Sequence, residues 1–151
     1  MYISKLLFFK QFQAKLIQIR FMHTVQHNMS RGVFFIKLKD NDRAVLTYKS
    51  ADRVLDMRSI IVPQEHKGQG LARLLAETAF TYAIINNYYM YLTCVYLQKY
   101  YLATKTIELE ERVVGPKHIL EGPSSKALDP DIIYELPDPE EFDVFPENHK
   151  K

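Results

Sequence analysis

Val62-Pro63-Gln64-Glu65-His66-Lys67-Gly68-Gln69-Gly70-Leu71-Ala72 joins two segments of opposite periodicity. Before it, residues 54–62 alternate as a β-strand, with Leu55, Met57, Ser59 and Ile61 expected on one side, and Pro63 ends the strand by removing a backbone donor. After it, Leu71, Leu74, Leu75, Thr78, Ala79, Tyr82 and Ala83 recur at steps of three and four, the pattern of a helix with one buried stripe. A loop between a strand and a helix N-terminus aims its N–H groups and the positive end of the helix dipole at one point, where an anion belongs. Gly68 and Gly70 let the backbone approach a phosphate with no Cβ in the way, and Lys67 adds positive charge. The pair of glycines alone is weak, because a sharp strand-to-helix turn also uses them.

Toward the N-terminus, residues 33–38 form an apolar run after Gly32. Lys39-Asp40-Asn41-Asp42 is a turn-rich break, and Ala44, Leu46 and Tyr48 then share one face, so the two runs read as a hairpin. Toward the C-terminus, Asn86-Asn87 stops the helix, residues 88–92 read as a short aromatic strand, and residues 95–102 read as a second helix. Strand, glycine loop, helix, strand, helix is an α/β order with a parallel crossover. Periodicity begins near Val25 and fades past Thr104 without an internal repeat, and we expect the folded domain over residues 24–112.

A chain of 151 residues with 47% hydrophobic side chains closes one core and is too short for two comparable domains. Its charge is asymmetric: residues 1–39 hold seven basic side chains and no acidic one, whereas residues 107–151 hold twelve acidic against five basic. Residues 1–23 therefore read as a basic extension. They resemble a transit peptide, but Lys5, Lys10, Lys15 and Arg20 would scatter around a helix, so a plain extension stays open beside that reading. Beyond Arg112, six prolines among many acids predict a disordered tail over residues 113–151, with 132–134 or 142–145 able to dock as short pieces. The single cysteine excludes an intrachain disulfide and gives no reason for an oxidising compartment, so an intracellular site, cytoplasmic or mitochondrial, is expected. The five histidines lack zinc-site spacing, and no stretch approaches the roughly 20 apolar residues of a membrane span. We expect no metal, no membrane span and no nucleic-acid partner.

The loop lacks the Gly-Lys-Ser/Thr ending of a P-loop and the third glycine of the dinucleotide fingerprint, which leaves a pyrophosphate ligand without a metal requirement, commonly coenzyme A. At this point the chain resembles the small single-domain GNAT proteins called N-acetyltransferase domain-containing proteins. Arg43-Ala44-Val45-Leu46-x-Tyr48 looks like that family's second strand, and Val62-Pro63 with Lys67-Gly68-Gln69-Gly70-Leu71-Ala72 looks like its coenzyme A loop. Residues 92–100, Leu-Thr-Cys-Val-Tyr-Leu-Gln-Lys-Tyr, look like its third signature. The resemblance spans residues 24–105. It implies an acyl-CoA N-acyltransferase fold, α/β, with a mixed and mostly antiparallel sheet, splayed central strands and flanking helices. It also implies acetyl-CoA as co-substrate, an amine acceptor, and Ile61, Val62, Lys67, Gly68, Gln69, Gly70, Leu71 and Ala72 as the cofactor-binding residues, with backbone N–H groups around Ile61 and Val62 polarising the thioester carbonyl. Ser59-Ile60 departs from the family, which usually has His-Thr there, and Lys67 stands where an arginine is usual.

Three residues are candidates for the chemistry. Cys94, at the C-terminal end of a strand, is either a nucleophile activated by the following helix or a buried packing residue. Tyr96 and Tyr100, four apart on one helix face, are either proton donors to a departing thiolate or ordinary core aromatics. Three functions follow: an acetyl-CoA-dependent N-acetyltransferase, an acyl-CoA-binding module weakened by the loss of the histidine, or an interaction domain in which the glycine loop is structural.

Overall fold

A computed structural model of the chain describes residues 23–139. The extension expected over residues 1–23 lies outside them apart from His23, as do residues 140–151 of the tail. Strands β1 (Val25–Asn28), β2 (Val33–Lys37), β3 (Arg43–Ala51) and β4 (Val54–Ile61) pair antiparallel in sequence order. Helix α1 (Leu71–Ile85) then carries the chain back, so that β5 (Tyr89–Leu92) lies parallel to β4. Helices α2 (Val95–Ala103) and α3 (Ile107–Arg112) follow, then β6 (Val113–Gly115), parallel to β5, and α4 (Lys117–Leu120). The six-stranded sheet has the order β1-β2-β3-β4-β5-β6, the mixed and mostly antiparallel sheet with flanking helices that was expected.

Alternation puts Phe34, Ile36, Ala44, Leu46, Leu55 and Met57 into the core, where Leu71, Leu75, Ala79 and Ala83 of α1 also lie at 0–1% exposure. Burying such side chains contributes about 1.5–3 kcal/mol each for the larger ones, enough to hold α1 against the sheet. The C-terminal end of α1 is set locally: Asn86 Nδ2 donates to Tyr82 O at 2.9 Å, Asn87 turns left-handed at φ 57°, and Arg53 donates to the carbonyls of both asparagines. Strand β1, too short and polar to be read from periodicity, is held partly by His27. Its ring stacks on Phe34 at 4.0 Å and its Nε2 lies 2.7 Å from the Tyr48 hydroxyl.

Two expectations need correction. In β4, Leu55 and Met57 are buried, but Ser59 is half-buried and Ile61 is 50% exposed, while Ile60 and Val62 enter the core. The register gives the cause: Tyr48 faces Met57 and Thr47 faces Ser59, so Arg58 is an extra residue, a β-bulge that moves each later side chain to the opposite face. The second correction concerns the tail, which was expected to be disordered from residue 113. Val113 is buried and opens β6, Ile119 and Ile133 are buried, and Leu128 N–H donates to Leu102 O at 2.9 Å. Proline and acid content lowered the average hydrophobicity of this segment, yet Ile119 and Ile133 are buried in the core and Leu128, Ile132 and Leu136 pack against it. The fold therefore passes the expected boundary at residue 112.

Candidate functional site

The sheet opens where β4 and β5 part. Their parallel pairing runs from Val54 and Tyr89 to Met57 and Leu92 and stops there. Met57 O closes the apex by accepting the N–H groups of Thr93 and Cys94, at 3.0 and 3.1 Å. Beyond it, β4 keeps only β3 as a partner, and the carbonyl at the end of β5 is taken by Gln98 Nε2 at 2.8 Å. On the sheet surface next to the apex, Asp56 ties the two strands by accepting from the Thr93 hydroxyl at 2.6 Å and pairing with Arg58 at 3.0 Å. The splay that the resemblance implied thus has a local origin: the bulge at Arg58 and the turn into α2 carry the strands apart just past the apex.

The glycine loop stands beside this opening. Residues Gln64–His66 form one 3-10 turn, and Gly68 and Gly70 both hold positive φ, 78° and 76°, a conformation that side-chain-bearing residues adopt at a cost. Gly70 caps α1 without a side-chain acceptor, so the first N–H groups of a 15-residue helix have no capping side chain. Gly68 N–H donates to Asp138 Oδ2 at 2.9 Å, so a carboxylate oxygen rests on this loop. A pocket of about 570 Å³ is lined by Lys67, Gly68, Gln69, Gly70 and Arg73 on one side and by Tyr134, Pro137 and Asp138 on another, with Tyr96 also contributing. That volume suits a cofactor-sized ligand. Two cations and an uncapped helix start match a pyrophosphate, so the residues present fit coenzyme A without calling for a metal.

Tyr96 reaches the pocket from the first turn of α2 and is 3% exposed. Burial raises its phenol pKa above the ordinary tyrosine value, opposed by the nearby Arg73 charge. Tyr100 is equally buried and its pKa is also raised by burial, with the charge of Glu77 and a hydrogen bond to that carboxylate adding to the effect. The two rings stack at 6.5 Å. Both phenols therefore keep their protons at neutral pH, the state needed in a proton donor, but only Tyr96 lines the pocket. Cys94 is buried at 3% exposure at the N-cap of α2, beside the apex.

The structure brings together Lys67, Gly68, Gln69, Gly70 and Tyr96 around one pocket, with Cys94 and Val62 buried nearby in the core. Ile61 points outward, and Leu71 and Ala72, 1% exposed, give their side chains to the core, so only their backbone is positioned for a ligand. Sequence reasoning missed Arg73, Glu77, Tyr134 and Asp138. Arg73 and Glu77 carried a signal, as polar residues set into the apolar periodicity of α1; Tyr134 lay in the piece 132–134 that was expected to be able to dock, and Asp138 carried none. Asp42, Glu65 and His66 also meet, with potential ligand atoms within 4.8 Å of one another, since the β2–β3 turn approaches the loop. Separation along the chain had hidden that group, of which Glu65 is exposed and Asp42 and His66 are half-buried, with nothing further to mark an ion site. No helix among the described residues is long and apolar enough to cross a membrane.

Comparison with known proteins gives a coherent answer. Residues 33–109 match the family described as GCN5-related N-acetyl-transferase. Protein NATD1 of Gallus gallus and of Mus musculus are each 36% identical over 78 residues, covering 50% of this chain and 71% of theirs. Protein NATD1 of Danio rerio is 28% identical over 104 residues, 68% of this chain and 94% of its own. The matched region holds the fork, the glycine loop and both helices that build the pocket, and it is the region on which the resemblance rested. The chain belongs to the GCN5-related N-acetyltransferase family.

Proposed function

We propose that this chain is an acetyl-CoA-dependent N-acetyltransferase that binds the cofactor's pyrophosphate on residues 67–71 and transfers the acetyl group to an amine. The observation that carries the reading is the adjacency of three features: a fork opening past Met57 and Leu92, an anion-holding loop at the start of α1, and a buried neutral phenol, Tyr96, in the same pocket. In this reading Lys67 and the Gly68 N–H hold phosphate oxygens, and the unpaired edge of β4 past Met57 orients the thioester. The Tyr96 hydroxyl gives its proton to the departing sulfur. Direct attack by a deprotonated amine on the thioester carbonyl forms the C–N bond as the C–S bond breaks, the proton lost from the amine nitrogen returns through solvent to the Tyr96 phenolate, and no enzyme nucleophile is needed, which leaves Cys94 a packing role. Isothermal titration of the protein with acetyl-CoA and with free CoA tests the reading, beside thiol release with amine acceptors. Binding by the parent and none by Gly68→Glu, whose carboxylate would enter the phosphate site, is the expected result. Equal binding by a normally folded Gly68→Glu protein would refute the loop assignment.

A second reading, an acyl-CoA-binding module with little turnover, is favoured by one contact. Ser59, where the family usually carries histidine, has its hydroxyl 2.7 Å from the Thr47 hydroxyl, and a hydroxyl is a poor proton acceptor at neutral pH. Binding without thiol release would select it.

A further inference from the structure

The oxygen that Gly68 N–H holds comes from the protein's own C-terminal segment. We propose that residues 130–138 form an intrasteric strap in which the Asp138 carboxylate occupies the phosphate cradle, so that coenzyme A binds only by displacing it. The inference rests on the proposed cofactor site and adds a device that regulates it.

Three observations carry it. First, Asp138 Oδ2 accepts from Gly68 N–H at 2.9 Å, a contact between residues seventy apart in sequence at the centre of the glycine loop. A carboxylate oxygen on a positive-φ glycine beside an uncapped helix start is the same chemistry as a phosphate oxygen, with less charge. Second, the strap also engages the cation best suited to a second phosphate: the Arg73 guanidinium lies over the Tyr134 ring, 4.8 Å from its centre. Leu136, Pro137 and Asp138 also line the pocket beside Gly68.

Third, the strap is anchored firmly at its base, while at its tip Asp138 is half-buried and is followed by the buried Pro139. Ile133 is buried and Leu128 N–H is bonded to α2, while Asp129 caps the 3-10 turn Pro130–Tyr134 by accepting from Asp131 N–H. Glu135 and Leu136 close that turn on Ile132 O, and Asp138 follows only two residues later. Release of the tip therefore leaves the hydrogen bonds of the base in place and exposes Pro139. A carboxylate tethered this way competes at an effective concentration in the millimolar range or above, whatever the protein concentration. The apparent affinity for coenzyme A falls in proportion to the fraction of molecules whose strap is closed. One charge-assisted hydrogen bond corresponds to about a tenfold preference for the closed state at a solvent-accessible site.

The test uses the full chain and its Asp138→Asn and Asp138→Ala variants, with coenzyme A, acetyl-CoA and inorganic pyrophosphate as probes. In the absence of ligand, the amide resonance of Gly68 should move in both variants, because its charged acceptor is gone. Titration calorimetry should give dissociation constants for acetyl-CoA and CoA about tenfold lower in the variants, with pyrophosphate following the same direction. An unmoved Gly68 amide alongside normal CoA binding would overturn the strap and leave the cofactor reading standing. A moved amide with unchanged or weaker CoA affinity would show that the contact exists without competing, and also overturns the strap. A moved amide with no CoA binding by any form would refute the cofactor reading and the strap with it.

Discussion

Raising the pH is the sharpest perturbation of the pocket, because Tyr96 and Tyr100 are buried phenols whose pKa values are raised by desolvation, and in Tyr100 by Glu77 as well. The sign follows from proton linkage. Above pH 10 the unfolded chain releases both protons while the folded state retains them, so stability is fully present below that pH and is lost as pH rises toward the folded values. Each group contributes about 1.4 kcal/mol per pH unit, and integration from pH 8 to pH 11 gives about 3 kcal/mol for the pair. Against a usual domain stability of roughly 5–15 kcal/mol, that shift is large. Urea unfolding at pH 8 and at pH 11, on the parent and on the Tyr96→Phe/Tyr100→Phe double variant, isolates the two phenols from lysines and from the other tyrosines. The parent should lose about 3 kcal/mol more than the double variant between the two pH values. The same loss in both proteins would mean that these phenols titrate normally and would refute their burial beside the pocket.

Ile119→Ala, in a segment read from composition as unfolded, should cost about 2–4 kcal/mol in chemical denaturation, because Ile119 is 1% exposed and leaves a cavity; a loss below about 0.5 kcal/mol would return that segment to the surface. Deleting residues 113–151 removes β6 as well and should abolish cooperative unfolding, and a sharp transition in the truncated protein would contradict the place of β6 in the sheet. Cys94→Ala should keep most thiol-release activity and lose about 1 kcal/mol of stability from the buried sulfur, whereas a stoichiometric acetyl adduct on Cys94 by mass spectrometry, chased by amine, would establish a covalent route.

Local chemistry determined much of this protein. A proline-ended strand, two glycines and an apolar stripe at helical spacing define β4, the loop and α1 within a few residues, because each signal depends on neighbours one to four positions away. The parallel crossover to β5 follows from the same order of elements, and the positive-φ turn of the loop was legible in Gly68 and Gly70. Tertiary structure decided what depends on distant partners. The bulge at Arg58 exists only in the register against β3, and it turned Ile61 outward and Ile60 inward, contrary to simple alternation. Ile119 looked isolated in an acidic, proline-rich segment, and Ile133 only able to dock, until the core offered each a site, since burial is a property of the assembled surface and not of local composition. The contact from Gly68 to Asp138 is the extreme case: two residues unrelated in sequence meet because the segment between them wraps the domain, bringing an anion of the chain itself to the loop built for one.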